Sequence, residues 1–208
     1  MKTKQIELYS KFERFWHWTQ SVLVILLGLT GFEIHDSFKL FGYEASVRLH
    51  SAAAWAFLML IALAIFWMFI SKQYLNFIPT GKNIKAQINY YLSGIFKGAV
   101  HPTKKTKLDK LNPLQRIVYL GLIILVFPVQ LISGFLYMYY HYPNKPFELA
   151  GLELVAIIHV LGAFLLVVFL IVHLYLITTG TKPSTNLKAM ITGFEDLEEG
   201  EELIKNQV

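Results

Sequence analysis

Four long stretches contain no Asp, Glu, Lys or Arg and constrain this chain more than any other feature: 15–32, 49–71, 117–144 and 154–181. Each is long enough to cross a bilayer as a helix, which takes about 20 mostly apolar residues. Buried helices of a soluble protein rarely stay apolar on every face over such lengths. The sequence therefore predicts an all-α integral membrane protein, a four-helix bundle. The expected spans, with approximate bounds, are 15–34, 47–71, 115–141 and 153–179.

Lysine and arginine are distributed unevenly among the connections. Four precede the first span and nine lie between the second and third, but the other two connections hold only Lys39, Arg48 and Lys145. Because basic residues accumulate on the cytoplasmic side, we expect both termini and the long middle loop to be cytoplasmic. The first stretch lacks a small-residue cleavage pattern, so we expect a retained helix rather than a signal peptide. The net charge of +5 then reflects topology, and no nucleic-acid partner is expected.

The middle loop contains a helical pattern of its own between residues 83 and 99. Its apolar side chains recur at intervals of three and four residues, with lysines around them. They are Ile84, Ile88, Tyr91, Leu92, Ile95, Phe96 and Ala99. This pattern predicts an amphipathic helix on the membrane surface, so lipid is an expected partner. The basic connector 101–110 that follows would be attracted to anionic lipid.

We assign residues 1–181 to the membrane domain and residues 182–208 to a cytoplasmic tail. Six acidic residues between Glu195 and Glu202 are typical of a solvated segment. Within the third span, Pro128 frees a backbone carbonyl one turn earlier, and we expect it to kink the helix.

Four of the seven histidines lie inside the apolar stretches, where an ionisable ring is costly and usually functional: His17, His50, His159 and His173. The step from His159 to His173 is roughly 21 Å of helical rise, with a rotation about 40° short of four turns. Both rings therefore point the same way at two depths. His50 and His159 open spans that start outside, whereas His17 opens a span that starts inside, at the depth of His173. Depth alone predicts the pairs His50 with His159 and His17 with His173.

A six-coordinate haem iron can be bound by two histidines that face each other. Two such pairs would bind two haems. Such a centre transfers electrons and has no open position for other chemistry. Because the chain has no cysteine, any haem is expected to be non-covalent and b-type. A tetrahedral zinc or copper ion would be short of ligands at two histidines. Small residues near the histidines would leave room for a macrocycle, or would simply let helices approach closely. They are Gly28, Gly31, Ser51, Ala52, Ala53, Ala54, Gly162 and Ala163.

Other interpretations of these histidines stay open. They could form interhelical hydrogen bonds, or act as proton-relay groups in a small transporter or channel, which would need polar residues along a path near the midplane. Inside the spans there is almost no other polar residue beyond the histidines, Gln130 and scattered Ser and Thr. A haem-based sensor would need an open iron position or an output domain. We favour electron transfer.

Four segments carry a resemblance to a known family: KFERFWHWTQ at 11–20, LNPLQRIVYLGLIILV at 111–126, HVLGAFLLVVFLIVHLYLITTG at 159–180 and LKAMITGFEDL at 187–197. The chain resembles the prokaryotic di-haem cytochrome b family, membrane subunits of nickel-iron hydrogenases, formate dehydrogenases and thiosulfate reductases. The resemblance implies that His50 and His159 ligate an outer haem and that His17 and His173 ligate an inner haem. It also implies the bacterial inner membrane as location.

The function that this resemblance implies is electron transfer in a respiratory complex. Electrons would pass through the two haems between a periplasmic iron-sulfur or cytochrome redox subunit and the membrane quinone pool. Chemistry on the final substrate would belong to the partner in this hetero-oligomeric complex. The partner is expected to dock on the short outer connections, 33–48 and 141–153.

The resemblance also implies a quinone site on the cytoplasmic side, next to the inner haem. Asn112 and Gln115 match an Asn and a Gln that formate dehydrogenase members carry just before the third span, and His173 is a further candidate contact. Pro113 and Leu114 depart from the family pattern. The same residues also fit a simple helix start, with Asn112 as N-cap and Pro113 at the first helical position.

Two arginines precede histidines near the ends of the spans. Arg48 lies two residues before His50 and is a candidate contact for a haem propionate, since arginine can hold a carboxylate through two hydrogen bonds. For Arg14, three residues before His17, we favour positive-inside anchoring alone.

Overall fold

Four long helices dominate the computed structural model, which describes residues 4–99, 102, 110–140, 152–179 and 183–197. These four helices are long and apolar enough to cross a membrane, which confirms the predicted all-α class with four spans. Their ends lie within four residues of the predicted ones. The helices are α1 (Lys11–Ile34), α2 (Tyr43–Ile70), α3 (Ile84–Asn89), α4 (Pro113–Tyr140), α5 (Leu152–Ile177) and α6 (Thr185–Thr192), and a 3₁₀ turn lies at Gln73–Phe77.

The described chain forms two compact units. The first contains α1, α2, α6 and Lys110, and the second contains α3, α4 and α5 as far as Tyr175. Each unit therefore includes two of the four spans.

In the first unit, α1 and α2 pack along each other. α1 begins with a capping box, in which Ser10 Oγ accepts from the Glu13 amide and the Glu13 carboxylate accepts from the Ser10 amide. In the first turn of α1, Phe12 stacks on Trp67, which lies in the last turn of α2, with 4.7 Å between ring centroids. Buried apolar side chains recur at intervals of three and four along one face of α2, at Ala53, Phe57, Leu60 and Ala64.

The two ends of the described chain also meet in the first unit. Strand β1 (Lys4–Glu7) pairs antiparallel with strand β2 (Phe194–Leu197). The amides of Leu8 and Tyr9 both donate to the carbonyl oxygen of Gly193, at 2.8 and 3.1 Å. Gly193 ends α6 with φ +91°, and a Cβ there would lie 2.8 Å from the Tyr9 carbonyl oxygen. A glycine is therefore required where the chain turns from helix to strand.

The beginning of the predicted tail is consequently folded. Residues 183–197 include α6 and β2, and Ala189 of α6 is buried. Acidic composition indicated solvation, but strand pairing uses backbone groups, which side-chain charge does not reveal. Residues 198–208, with the rest of the acidic run, lie outside the described residues.

In the second unit, α4 is not a uniform α-helix. It contains a π-helical turn at Leu122–Val126 and returns to α-helix at Phe127, immediately before Pro128. Proline has no N–H to donate, so the carbonyl of Ile124 would lack its partner in a regular α-helix. Wider turns commonly accompany such interruptions. A π-helical turn therefore directly precedes Pro128, and the kink at this proline stays a prediction.

α3 begins the predicted amphipathic segment, which belongs to the second unit as well. The segment continues through a π-helical turn at Tyr90–Gly94 and a 3₁₀ turn at Ile95–Lys97, and it ends at Gly98 with φ +66°. Gln87 is fully buried and lies on the protein-facing side of the segment. The exposed apolar side chains recur every four residues, at Ile88, Leu92 and Phe96. This is the stripe expected of a helix that lies on a membrane surface.

Candidate functional site

The intramembrane histidines lie on three of the four spans. They are His17 on α1, His50 on α2, and His159 and His173 on α5. The first two belong to the first unit and the last two to the second. Of the other histidines, His35 directly follows α1, and those at 101 and 141 lie outside the described residues.

A hydroxyl group from α1 holds His50. Thr30 Oγ1 lies 3.0 Å from His50 Nδ1, and the same oxygen lies 2.7 Å from the carbonyl oxygen of Leu26, one turn earlier. Gly31, the next residue on α1, faces the ring: a Cβ there would lie 3.3 Å from His50 Cε1. The dipeptide Thr30-Gly31 therefore positions this imidazole by one hydrogen bond and one close contact.

The same arrangement recurs in the second unit around His159. Ser133 Oγ of α4 lies 2.8 Å from His159 Nδ1 and 2.6 Å from the carbonyl oxygen of Val129. A Cβ at Gly134 would lie 3.4 Å from His159 Cε1. The ring of Tyr137 lies one turn further on, 6.3 Å from the imidazole between centroids. We call His50 and His159 the hydroxyl-supported histidines.

The other two histidines have aromatic neighbours. The ring of His17 meets Trp18 edge-on at 5.2 Å between centroids. The ring of His173 lies nearly parallel to Phe169, one turn earlier on α5, at 5.6 Å and 19°. Phe169 in turn meets Tyr119 of α4 edge-on at 5.8 Å. We call His17 and His173 the aromatic-contact histidines.

The glycines near the histidines differ in what they accommodate. Gly31 and Gly134 face imidazole rings, whereas the space beside Gly162 holds the side chain of Gln130. A Cβ at residue 162 would lie 2.8 Å from Gln130 Oε1. This oxygen is buried, and no hydrogen-bond partner for it occurs in the part of the chain that the structure describes. The amide of Gln130 thus occupies the space beside Gly162, for which the sequence left open either a macrocycle or a close approach of helices.

The donor chemistry fits haem better than a bare metal ion. Within residues 4–99, 102, 110–140, 152–179 and 183–197, no group of three or more His, Asp or Glu could hold a metal ion. A haem brings four nitrogen ligands of its own, so each histidine has to supply only one axial bond. The imidazoles of the hydroxyl-supported histidines are also anchored through Nδ1, as metal-ligating histidines usually are through the ring nitrogen that does not bind the metal.

Asn112 and Gln115 begin α4 as a reciprocal cap. Asn112 Oδ1 accepts from the Gln115 amide at 2.9 Å, and Gln115 Oε1 accepts from the Asn112 amide at 3.0 Å. Pro113 occupies the first helical turn, so the helix-start interpretation is confirmed. Asn112 Nδ2 also donates to the hydroxyl of Tyr91 at 2.9 Å, and burial raises the pKa of that tyrosine. A role of Asn112 and Gln115 in quinone binding stays a prediction.

Arg48 is largely exposed near the start of α2. Its Nη1 lies 3.7 Å from Glu44 Oε2, one helical turn earlier. Exposed pairs of this kind contribute little to stability, so the guanidinium can exchange this partner for another anion at small cost. The predicted propionate contact is compatible with this position and stays a prediction.

Arg14 does more than place positive charge at the predicted inner surface. Its Nη1 donates to the carbonyl oxygen of Ile191 at 2.7 Å, and Trp18 Nε1 donates to that of Met190 at 3.3 Å. Both carbonyls belong to the last turn of α6, where such groups have no partner within the helix. The two side chains therefore fasten α6 to the helix that carries His17.

A carboxylate that the sequence analysis did not single out organises the turn between α1 and α2. Glu33 is buried and accepts from the amides of Leu40, Phe41 and Gly42 at 2.7–3.0 Å. It also accepts from Ser46 Oγ at 2.6 Å. Gly42 precedes α2 without a side-chain cap of its own, so Glu33 supplies the anion at this helix start. The sequence signal that could have identified Glu33 is that it is a single acid at the end of an apolar span.

Comparison with known protein families shows the family to which this chain belongs. The family model described as prokaryotic cytochrome b561 matches residues 8–193. The chain belongs to the prokaryotic cytochrome b561 family. Among curated relatives, it is 30% identical over 198 residues to YdhU of Escherichia coli (strain K12), named as a putative cytochrome, and the alignment covers 92% of this chain and 75% of that protein. No solved structure matches the chain.

Membership of the prokaryotic cytochrome b561 family confirms the resemblance to membrane cytochromes b. It implies transmembrane electron transfer by a bacterial membrane protein that carries b-type haem and contacts lipid. The match extends from the end of β1 to Gly193, so it includes both units and all four intramembrane histidines. It also includes α6, which lies beyond the last span.

Proposed function

We propose that this cytochrome b561 family member is the membrane electron-transfer subunit of a respiratory complex. In this proposal it passes electrons between a periplasmic redox partner and the membrane quinone pool with the help of two non-covalent b-type haems. A haem with two imidazole ligands exchanges single electrons and offers no open position to a substrate. The observation that carries the proposal is the set of four histidines on spans of a family that binds b-type haem.

The proposed ligand pairs are His50 with His159 for an outer haem and His17 with His173 for an inner haem. The depth argument supports both pairs, because it uses only helix direction and position along each span. The matching surroundings of the hydroxyl-supported histidines give further support to the first pair. In each unit, a hydroxyl followed by glycine meets the Nδ1 edge of one ring.

We place both termini and the middle loop in the cytoplasm of a bacterial cell, and the protein in its inner membrane. The uneven distribution of Lys and Arg supports this orientation. The turn that Glu33 organises would then face the periplasm, where an iron-sulfur or cytochrome subunit is proposed to dock. Its backbone is fixed by hydrogen bonds to the carboxylate, so it presents Phe38, Leu40 and Phe41 as exposed apolar side chains on an ordered turn. The second proposed docking segment, 141–153, lies almost entirely outside the described residues.

We place quinone on the cytoplasmic side, near the start of α4. Asn112 and Gln115 lie there, and Tyr91 adds a half-buried hydroxyl beside Asn112. Polar groups that converge in apolar surroundings are typical of small-molecule sites. His173 is the third proposed contact.

A haem assay with redox spectroscopy on detergent-purified protein tests the proposal. We expect two b haems per chain by pyridine haemochrome, both reducible by a quinol analogue in proteoliposomes. Protein that is folded by circular dichroism but contains no haem would reject the electron-transfer function and favour the proton-relay transporter. Two haems that no quinol reduces would retain the electron-transfer role and reject the quinone as partner.

A further inference from the structure

Two hydroxyl groups in different parts of the chain make the same pair of contacts. Thr30 Oγ1 is close to a backbone carbonyl oxygen at 2.7 Å and to His50 Nδ1 at 3.0 Å. Ser133 Oγ shows the corresponding distances of 2.6 and 2.8 Å, to the Val129 carbonyl and to His159 Nδ1. These separations are those of ordinary O–H···O and N–H···O hydrogen bonds.

The proton count at each hydroxyl decides the state of the imidazole. A hydroxyl has one proton, and a backbone carbonyl can only accept. The proton of Thr30 is therefore directed to Leu26 and that of Ser133 to Val129. With that proton engaged, each oxygen is left to accept from the histidine, which favours the tautomer with the ring proton on Nδ1. In a neutral imidazole this leaves the lone pair on Nε2, the atom that can bind a metal.

A glycine next to each hydroxyl fixes the ring from a second direction. The added Cβ would lie 3.3 Å from His50 Cε1 at Gly31 and 3.4 Å from His159 Cε1 at Gly134. Each imidazole thus rests against helix backbone while its Nδ1 is hydrogen-bonded. Both sites belong to the same local sequence, Thr-Gly-Phe at 30–32 and Ser-Gly-Phe at 133–135.

From these observations we propose that Thr30 and Ser133 are positioning residues for the proposed haem ligands His50 and His159, each within its own unit. In this inference, which rests on the proposed function, the two hydroxyls hold His50 and His159 in the Nδ1–H tautomer and orient both Nε2 atoms as axial ligands. A hydrogen bond from Nδ1 also increases the basicity of the imidazole. A more basic axial ligand favours ferric over ferrous iron. Each hydroxyl is therefore expected to lower the potential of a haem that its histidine ligates.

The test compares full-length Thr30→Val and Ser133→Ala with Thr30→Ser and Ser133→Thr. The first two variants remove the hydroxyl, and the second two keep it. Haem content, a potentiometric titration followed by optical spectra, and the low-temperature EPR spectrum of the oxidised protein are measured for each. Valine has the shape of threonine, and Thr30→Ser reports whether loss of the methyl group alone matters.

We expect Thr30→Val and Ser133→Ala each to raise the midpoint potential of the haem that the neighbouring histidine ligates, and to change its EPR signal. Under the proposed pairing this is the same haem in both variants. Haem affinity at that site should fall by about tenfold, the lower end of the range for lost partners of metal-ligating histidines. The hydroxyl-retaining variants should resemble the wild type. Even if one variant binds haem poorly, the other still tests the hydroxyl from the opposite ligand.

Two other results would overturn different parts of the reasoning. Unchanged potentials and EPR signals in both hydroxyl-free variants would reject the positioning role while leaving a di-haem protein intact. Shifts of different haems in the two variants would reject the proposed pairing of His50 with His159. A wild-type protein without haem would reject the proposed function and this inference together.

Discussion

The hydroxyl-supported histidines and the aromatic-contact histidines have the same chemical group in different surroundings. In the first pair, the Nδ1 atoms lie within 3.0 Å of a hydroxyl, and a glycine borders each ring. In the second pair, the rings lie against Trp18 and Phe169. A hydrogen bond fixes both the tautomer and the rotation of an imidazole, whereas an aromatic contact acts mainly on the orientation of its plane.

In the proposed arrangement of two haems, this difference would let one ligand type produce two unequal redox centres. Four identical ligands would give two similar haems, and transfer between them would have no preferred direction. Surrounding groups tune a haem through hydrogen bonding to the axial ligand and through burial. We therefore expect the centre at the hydroxyl-supported histidines to have the lower potential of the two.

Removal of a single proposed histidine ligand should have the largest effect. It can also show whether the two pairs of histidines belong to different haems. We expect His50→Ala and His159→Ala to lose one and the same haem, and His17→Ala and His173→Ala to lose the other, because each iron would lose an axial bond. Pyridine haemochrome content and the remaining midpoint potential identify which centre is absent. His35→Ala, outside the spans, is the control and should keep both haems. If His50→Ala and His17→Ala removed the same centre, the proposed pairs would be wrong.

Removal of the Glu33 carboxylate should have the next largest effect. We expect Glu33→Ala to lower the thermal midpoint and the haem content at the hydroxyl-supported histidines, since the turn before α2 would lose its acceptor for three amides and one hydroxyl. The aromatic-contact centre should change less. Glu44→Gln serves as a control, because Glu44 is an exposed acid of the same region. Equal loss of both haems would show that Glu33 stabilises the whole bundle rather than one centre.

Much of the architecture was predictable because membrane spans are determined by local composition. A run without charge and about 20 residues long has few alternatives, so all four spans were found with ends within four residues. Periodicity also predicted the amphipathic segment that starts at Ile84. The turn chemistry of Asn112 and Pro113 likewise predicted the start of α4.

The contacts that hold the histidines were not predictable in the same way. Thr30 lies 20 residues before His50, and Ser133 lies 26 before His159, so no fixed spacing marks either pair. Their meeting depends on how neighbouring helices pack. The pairing of β1 with β2 joins segments from the two ends of the chain through backbone groups, which composition does not encode. Glu33 was missed for a similar reason, since its main partners are backbone amides.

A smaller effect is expected from Phe169, the neighbour of His173. Phe169→Leu removes a ring that lies nearly parallel to the imidazole, and aromatic pairs contribute about 0.5–1.5 kcal/mol beyond their buried area. We expect a modest shift in the potential and EPR signal of the aromatic-contact centre only. Phe164→Leu, five residues earlier on the same helix and largely exposed, is the matched control. A shift confined to the haem that Thr30→Val affects would contradict the division into two kinds of centre.

The smallest effect should come from Arg48, because its side chain is exposed and, among the described residues, it pairs only with Glu44. We expect Arg48→Ala to lower the potential or the occupancy of the haem at the hydroxyl-supported histidines, since a cation near a propionate favours the reduced, more negative haem. The shift should shrink as salt rises, because exposed charges are screened. Comparison with Glu44→Gln and the double variant separates a propionate contact from a change in the helix pair alone. If the titration of Arg48→Ala matched the wild type at low salt, Arg48 would serve only the surface of α2, and the outer centre would depend on Thr30, Ser133 and Glu33.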